Sequence, residues 1–261
     1  MRLLVKLRCT ESCSYEMQYH YHLQGFIYNL LKGSKYDYVH DREGYKFFCF
    51  SNIFPASDLE KDDTRTLLIS SPDSGLIDYL HGVLQKPWNQ YAMIGKMRFK
   101  MESVEEFAVS PPENYLISVI TGTPIIIRIA RETMQKNGIE AKGKYPYIYW
   151  RNNYPVGIFI NHLTNNLLNK YAEFSRSDES KGFTLLDERL ESKPIFDQFV
   201  FKKQVSTRVF LKGFEQVVIG TVWQFRFSPG TSRDLIHFAM DAGFGERNSL
   251  GFGFMNLLSN K

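Results

Sequence analysis

The sequence has few cysteines and no long apolar run. Its three cysteines, Cys9, Cys13 and Cys49, form no CxxC pair and no cluster with histidine at zinc-ligand spacing. Neither a disulfide framework nor a structural zinc site is indicated, so a reducing cytoplasm is the expected location. The opening MRLLVKLRCT lacks the apolar core of a signal peptide, and no apolar stretch reaches the about 18 residues of a membrane span. We therefore expect a soluble protein with no membrane partner.

The sequence also lacks a large excess of positive or negative charge. Lys and Arg number 32 and Asp and Glu number 28, which gives a net charge of +4. A polyanionic partner would have to be held by a local basic patch. Hydrophobic residues make up 43% and charged residues 23%, which excludes a disordered or fibrous chain. The length of 261 residues suits two compact domains of similar size.

The apolar pattern of the first half predicts the order β-α-β-β-α-β. Alternating and β-branched runs predict strands, and apolar residues at i, i+3 and i+4 predict helices, the second capped by Asp73 or Ser74. The predicted strands are residues 2–8, Tyr45–Phe54, Thr66–Ser70 and Ala92–Val109, and the helices are Leu23–Leu31 and Leu76–Leu84. This order is that of the ferredoxin-like unit.

The second half repeats the same order. Its predicted elements are a β-rich start at residues 115–129, a helix with Ile160, Leu163, Leu167 and Tyr171, a polar loop at 175–182, strands Val205–Leu211 and Val217–Phe227 joined by residues 212–216, a helix from Thr231 or Ser232, and a last strand. The sequence thus predicts an α+β fold of two tandem ferredoxin-like (βαββαβ) domains with a C-terminal glycine-rich loop. We place the N-terminal domain at residues 1–115 and the C-terminal domain at 116–261.

The C-terminal loop is Gly243-Phe-Gly-Glu-Arg-Asn-Ser-Leu-Gly-Phe-Gly253, in which five residues separate two Gly-Phe-Gly triplets. Glycines let a backbone approach a ligand closely, so such a loop can offer N–H groups to phosphates. The spacing matches neither the dinucleotide fingerprint nor the Walker A loop, which disfavours a nucleotide cofactor. A helix cap followed by a tight turn is the alternative interpretation.

A basic segment without acidic residues, Phe201-Lys-Lys-Gln-Val-Ser-Thr-Arg-Val-Phe-Leu-Lys212, covers the predicted hairpin. Its cations could line a groove that follows a phosphate backbone, with Phe201 and Phe210 stacking on bases. The alternative is a solvated hairpin face whose aromatic residues belong to the core. The basic residues are Lys202, Lys203, Arg208 and Lys212.

Tyr28, His40 and Lys46 lie within nineteen positions, on the first helix, the following loop and the next predicted strand. If the chain folds back there, the three side chains converge. Histidine transfers protons near neutral pH, tyrosine orients or relays a proton, and lysine neutralises charge that develops on phosphorus. We interpret the remaining histidines as packed or exposed: His20, His22, His81, His162 and His237.

These features resemble a known family, the CRISPR-associated endoribonucleases of the repeat-associated mysterious protein (RAMP) superfamily that process precursor CRISPR RNA. The glycine-rich loop is similar to the superfamily signature. The stretch His22-Leu-Gln-Gly-Phe-Ile-Tyr-Asn29 points more narrowly to the processing nuclease. Together the two motifs bracket nearly the whole chain, and tandem ferredoxin-like domains are also that family's architecture.

The resemblance implies specific binding of the repeat RNA and one metal-independent cut within each repeat, with no cofactor. In such nucleases a tyrosine of the first helix, a histidine of the next loop and a lysine just beyond form the site, and these match Tyr28, His40 and Lys46. It further suggests that the glycine-rich loop and the basic hairpin contact RNA. The candidate contacts are Lys202, Lys203, Arg208, Lys212, Gly243, Gly245, Arg247, Gly251 and Gly253. Other CRISPR effector-complex subunits are candidate partners of a monomer or homodimer.

The expected chemistry is attack of a ribose 2′-OH on the adjacent phosphorus, giving a 2′,3′-cyclic phosphate and a 5′-OH. His40 would transfer a proton as general acid, Tyr28 would orient or deprotonate the 2′-OH, and Lys46 would stabilise the transition state.

Two alternatives share parts of this pattern. A non-catalytic RAMP subunit would bind RNA with the same glycine-rich loop, but it would have no chemical need for Tyr28, His40 and Lys46. An enzyme with a ferredoxin-like fold could use the loop for a small phosphorylated substrate, and specific RNA binding would argue against it.

Overall fold

The computed structural model describes residues 1–111, 116–140, 145–177, 194–211 and 213–258. Two antiparallel sheets, one from each half of the chain, dominate the fold, and each packs against helices of its own half. None of the helices in the described ranges has the length and apolar character that crossing a membrane would require.

The first half forms a five-stranded sheet in the order β2-β3-β1-β5-β4. Its elements are β1 (Arg2–Cys9), α1 (Tyr19–Leu31), α2 (Tyr38–Asp41), β2 (Cys49–Phe50), β3 (Thr64–Ser70), α3 (Ser74–Leu84), β4 (Tyr91–Ile94) and β5 (Met97–Phe107). Strand β1 lies between β3 and β5 and pairs antiparallel with both. Apart from the added edge strand β4, this is the predicted ferredoxin-like arrangement, which is confirmed.

The local patterns explain these elements. Leu3, Val5 and Leu7 alternate along β1 and are all buried, as a strand with one face on the core requires. In α1, Leu23 and Ile27 recur one turn apart and pack into the same core. Helix α3 begins where the Asp73 carboxylate accepts a hydrogen bond from the Leu76 amide, so the predicted cap is present.

Two predicted strands of the first half differ from the structure. The run Ala92–Val109 is a hairpin of β4 and β5 that turns at Gly95 and Lys96, because a residue with positive φ reverses the chain there. The run Tyr45–Phe54 contains only the two-residue strand β2. Phe48 and Phe50 of this run are buried in the core of the first half and Phe47 in the core of the second, so its strand-like composition reflects burial.

The second half forms a four-stranded sheet in the order β11-β6-β10-β9, which again corresponds to the ferredoxin-like unit. Its elements are β6 (Ser118–Thr121), β7 (Arg128–Ala130), α4 (Arg131–Lys136), β8 (Tyr147–Tyr149), α5 (Val156–Ser177), β9 (Phe196–Leu211), β10 (Phe214–Phe227), α6 (Arg233–Ala242) and β11 (Met255–Leu257). Ser232 caps α6 by accepting a hydrogen bond from the Leu235 amide.

The second half also departs from the prediction in places. Strands β7 and β8 pair as a separate two-stranded sheet that the sequence pattern did not indicate. The hairpin of β9 and β10 is longer than predicted, since β9 begins at Phe196 and β10 begins at Phe214. Residues 175–177 belong to α5, so the predicted loop starts too early, and the rest of that loop lies outside the described residues.

Arg2 connects the two halves. Its side chain is buried, and Nη2 donates hydrogen bonds of 2.8 Å to the carbonyls of Met240 and Met255 in the second half. The terminal amino group pairs with Asp241 on the same side. The division of the chain between residues 115 and 116 stays a prediction.

We expect Gly253→Ala to destabilise the fold because φ is +74° and an added Cβ would lie 1.9 Å from the Phe244 carbonyl oxygen. The expected loss is about 2 kcal/mol or more, seen as a melting temperature lower by roughly 4 °C or more in a thermal scan. The matched control is Gly82→Ala in α3, where no atom lies within 4 Å of the added Cβ. It should stabilise by about 0.5–1 kcal/mol, and equal melting of both variants would contradict this account.

Candidate active site and RNA-binding surface

Tyr28 and His40 face each other at the edge of the first half. Tyr28 lies near the C-terminal end of α1 and His40 lies on the short helix α2. Their rings meet edge to face, with centroids 4.9 Å apart and an angle of 81° between the ring planes. Both side chains line one groove, here called the catalytic groove, together with Tyr21, His22 and Tyr91. His22, which we interpreted as merely packed or exposed, therefore stands close to the candidate site.

His40 is exposed and its ring is oriented by a neighbouring carboxylate. The side chain is 60% exposed, and Nδ1 lies 2.6 Å from Oδ1 of Asp41. A carboxylate on one ring nitrogen fixes the tautomer and turns the other nitrogen outward. Among the residues that the structure describes, no hydrogen bond uses Nε2. This nitrogen is therefore available to a substrate in the groove.

Lys46 completes the cluster from the segment that leads to β2. Its Nζ lies 5.2 Å from the centroid of the Tyr28 ring and donates hydrogen bonds to the carbonyls of Val39, at 2.8 Å, and of His40. Burial lowers the pKa of Lys46, while Asp41 opposes the shift. The structure thus brings Tyr28, His40 and Lys46 together, and it gives Lys46 the additional task of holding the backbone that carries His40.

The Tyr28 hydroxyl accepts a hydrogen bond from Gln24, which also contacts the second half of the chain. Gln24, one turn earlier on α1, donates from Nε2 to Tyr28 Oη at 3.3 Å and to the Ser249 carbonyl at 3.0 Å. Burial raises the pKa of Tyr28 to about 12, against opposing hydrogen bonds from Ser249 and Gln24. The phenol is therefore neutral near pH 7, which favours an orienting role over that of a base.

The glycine-rich loop runs from α6 to β11, and the structure describes all of it. Its four glycines, Gly243, Gly245, Gly251 and Gly253, are buried. Positive φ angles at all four, with Gly243 ending α6, fit the alternative of a helix cap and tight turn. Contact of these glycines with RNA stays a prediction.

Lys170 of α5 fixes this loop from beneath. It is buried, and Nζ donates to the Gly243 carbonyl at 2.6 Å, the Gly245 carbonyl at 3.1 Å and Oδ1 of Asn248 at 2.8 Å. Burial lowers the pKa of Lys170 to about 7, with the nearby Cys49 and Glu246 acting in the opposite direction. The side-chain amide of Asn248 donates in turn to the carbonyls of Phe244 and Phe252.

Arg247 lies in the same loop and lines a polar cleft between the two halves. The cleft is also lined by Lys46, Arg128, Tyr147 and Asn166. Arg247 Nε is buried and has no hydrogen-bond partner among the described residues. Arg128, by contrast, is paired with Glu246, and its backbone amide donates to the same carboxylate at 2.8 Å.

The basic hairpin is partly as predicted. Lys202 and Lys203 are exposed on β9, and Lys202 is the extra residue of a bulge, since Phe201 and Lys203 pair with consecutive residues of β10. Arg208 is exposed but lies 3.4 Å from Glu215 on the facing strand, so its charge is partly balanced. Lys212 lies outside the described residues.

The two hairpin phenylalanines proposed for stacking both pack against aromatic neighbours. Phe201 meets Trp223 edge on at 5.2 Å between centroids, and Phe210 meets Tyr21 of α1 at 5.6 Å. Each remains 36% exposed. The second contact places the basic strand beside the helix that carries Tyr28.

No group of three or more His, Cys, Asp or Glu side chains within the described ranges is arranged to hold a metal ion. Four residues of the site were not identified from the sequence: Gln24, Asp41, Lys170 and Ser249. Lys170 had a readable signal. It stands three residues after Leu167 and four before Phe174, on the buried face of an amphipathic helix, where an unpaired cation is costly.

Comparison with known proteins identifies the family. The family model described as CRISPR associated protein Cas6, C-terminal, matches residues 97–257. The CRISPR-associated endoribonuclease Cas6 of Haloferax mediterranei is 31% identical, over 99% of this chain and 94% of that protein. The chain belongs to the Cas6 family. The recognition made from the two sequence motifs is confirmed.

Other Cas6 proteins match over the same extent. The CRISPR-associated endoribonuclease Cas6 2 of Methanocaldococcus jannaschii is 28% identical, over 98% of this chain and 99% of that protein. A solved structure of a Cas6-related protein from Pyrococcus furiosus superposes with a TM-score of 0.69 at 18% identity, covering 100% of this chain and 99% of that one. This last likeness confirms the fold.

Proposed function

We propose that this Cas6-family chain is the endoribonuclease that binds the repeats of precursor CRISPR RNA and cuts once within each repeat to release guide RNAs. The observation that carries the proposal is the convergence of Tyr28, His40 and Lys46 in one cluster beside an open groove. A proton donor, a neutral phenol and a cation at one place are what cleavage by a ribose 2′-OH needs. A protein that only binds RNA has no need of this set.

In the proposed reaction the 2′-oxygen bonds to the adjacent phosphorus as the bond from phosphorus to the 5′-oxygen breaks. The 2′-OH passes its proton to solvent water as the new bond forms, and the His40 imidazolium donates its Nε2 proton to the departing 5′-oxygen and becomes the neutral ring. The products are a 2′,3′-cyclic phosphate and a 5′-OH. Asp41 supports this role by keeping Nδ1 occupied, so that Nε2 is the nitrogen that acts.

Tyr28 positions the reacting groups, and Lys46 neutralises negative charge in the transition state. With its pKa raised to about 12, Tyr28 stays a phenol and orients the reacting ribose and phosphate by hydrogen bonding. Lys46 supplies the positive charge for the phosphorane, and its hydrogen bonds to the carbonyls of Val39 and His40 couple that charge to the position of the histidine. The RNA supplies its own nucleophile, His40 protonates the leaving oxygen and Lys46 supplies the positive charge, so we expect cleavage without an added metal ion or cofactor.

For RNA binding we propose Lys202, Lys203 and Arg208 on β9, with Lys212 beyond them, and Arg247 with the backbone of the glycine-rich loop. The packing of Phe210 on Tyr21 supports a path for RNA from the hairpin to the catalytic groove. Because Arg208 shares its charge with Glu215, we rank Lys202 and Lys203 above it.

We also propose that the protein works in the cytoplasm, as a monomer or homodimer, and delivers its product to other CRISPR effector subunits.

The first prediction about RNA concerns His40. Repeat RNA from the neighbouring CRISPR array, incubated in EDTA, should be cut once by wild-type protein, whereas His40→Ala should bind it normally and cut at least about 100-fold more slowly. His237→Ala, which changes an exposed histidine of α6, is the matched control and should cut normally. Equal cutting by His40→Ala would remove His40 from the chemistry. Binding without cutting by the wild type would favour a non-catalytic RAMP subunit.

The second prediction concerns the basic strand. Replacing Lys202 and Lys203 together with alanine should weaken binding of repeat RNA and reduce the slope of log affinity against log salt by about 1.4, or about 0.7 for each phosphate that the protein no longer neutralises. The control pair is Lys61→Ala with Lys86→Ala, two exposed lysines of the first half. An unchanged affinity and slope for the first pair, measured by filter binding at several salt concentrations, would rule out this assignment.

A further inference from the structure

Ser249 of the second half is joined to the Tyr28 hydroxyl of the first through Gln24. It lies in the short 3₁₀ turn Asn248–Leu250 of the glycine-rich loop, and its hydroxyl accepts a hydrogen bond from Gln24 Nε2. Gln24 joins the two, since its Nε2 lies 3.3 Å from Tyr28 Oη and 3.2 Å from Ser249 Oγ. The Gln24 amide therefore bridges the Tyr28 hydroxyl and Ser249 of the second half.

The segment that presents Ser249 is held on both sides. On one side Lys170 and Asn248 tie the loop backbone to α5 by the hydrogen bonds described above. On the other side Nδ1 of His20, on α1, lies 2.6 Å from the Leu250 carbonyl, and its ring stacks on Phe252 with centroids 4.4 Å apart. Burial lowers the pKa of His20 to about 4, so this contact is made by a neutral ring that donates from Nδ1.

In the hydrogen bond between Gln24 and Tyr28, Gln24 is the donor. Gln24 Nε2 is a donor only, so Tyr28 Oη accepts from it with a lone pair. One donated hydrogen bond restricts where the remaining lone pair and the phenolic proton point. Because burial keeps Tyr28 protonated, the direction of that O–H is what the site can use.

We infer that Ser249 and Gln24 are positioning residues that fix the direction of the Tyr28 hydroxyl during RNA cleavage. In this chain the glycine-rich loop then has a second task besides any contact with RNA. It brings a hydroxyl from the second half to the catalytic helix of the first. The inference rests on the proposed function, because it concerns the rate of the cleavage step.

A double-mutant cycle with Tyr28→Phe tests this. Ser249→Ala should lower the single-turnover rate constant at saturating protein by about 10- to 100-fold, with the Kd for repeat RNA changed by less than about threefold. Ser249→Thr keeps the hydroxyl and should restore most of the rate. In the Tyr28→Phe background, Ser249→Ala should cause no further loss, because the hydroxyl it positions is already absent. Gln24→Leu should behave in the same way.

The control is Ser103→Ala on β5, whose hydroxyl donates to Glu105 and which should cut at the wild-type rate. Equal losses from Ser249→Ala in both backgrounds would overturn the inference, as would a loss confined to Kd, which would make Ser249 an RNA contact. Wild-type cleavage by Tyr28→Phe would also overturn it while leaving the nuclease function intact. Failure of the wild-type protein to cut at all would instead refute the proposed function on which the inference depends.

Discussion

Lys170 holds the glycine-rich loop, and much of the site depends on that loop. Its ammonium lies in the interior of the second half and is surrounded by three oxygen acceptors, two of them loop carbonyls. A buried cation is tolerated where such acceptors replace its water. The loop that it fixes packs against α1 and β2 of the first half, carries Arg247 to the cleft and carries Ser249 to Gln24, which contacts Tyr28. One buried hydrogen-bonding group thus links the core of one ferredoxin-like unit to the reactive edge of the other.

The three side chains of the catalytic cluster differ in environment, and their environments separate their roles. His40 is exposed and oriented by Asp41, which suits a group that exchanges protons. Tyr28 is half-buried and stays a phenol, because burial raises its pKa to about 12, and this suits a group that orients. Lys46 lies between the catalytic groove and the cleft, and it secures the carbonyl of His40 while keeping its charge beside the tyrosine ring. The short connection from α1 through α2 to β2 brings all three together.

The fold could be predicted from the sequence because the apolar residues of both halves recur with the periods of strands and helices. The same order of elements occurs in each half. Tyr28, His40 and Lys46 were identified as candidate catalytic residues from the resemblance to a known nuclease family. Side-chain contacts between segments that are distant in the sequence could not be predicted from periodicity or from the resemblance. Ser249 and Gln24 lie 225 positions apart in the chain, and neither stands out by type. The segment 201–212 contains no acidic residue, yet Glu215 faces Arg208 across the hairpin. The sequence does contain a signal for Lys170, because a lysine on the apolar face of a helix needs hydrogen-bond acceptors in the core.

The central claim is that a ribose 2′-OH is the nucleophile and that these side chains direct it. The most direct measurement uses wild-type protein in EDTA with repeat RNA that carries a single 2′-deoxy substitution at the nucleotide before the cut. The account predicts normal binding and no cleavage of this RNA, and a 2′,3′-cyclic phosphate on the product of the unmodified RNA. Normal cleavage of the 2′-deoxy RNA would contradict the account, because the proposed nucleophile would be missing.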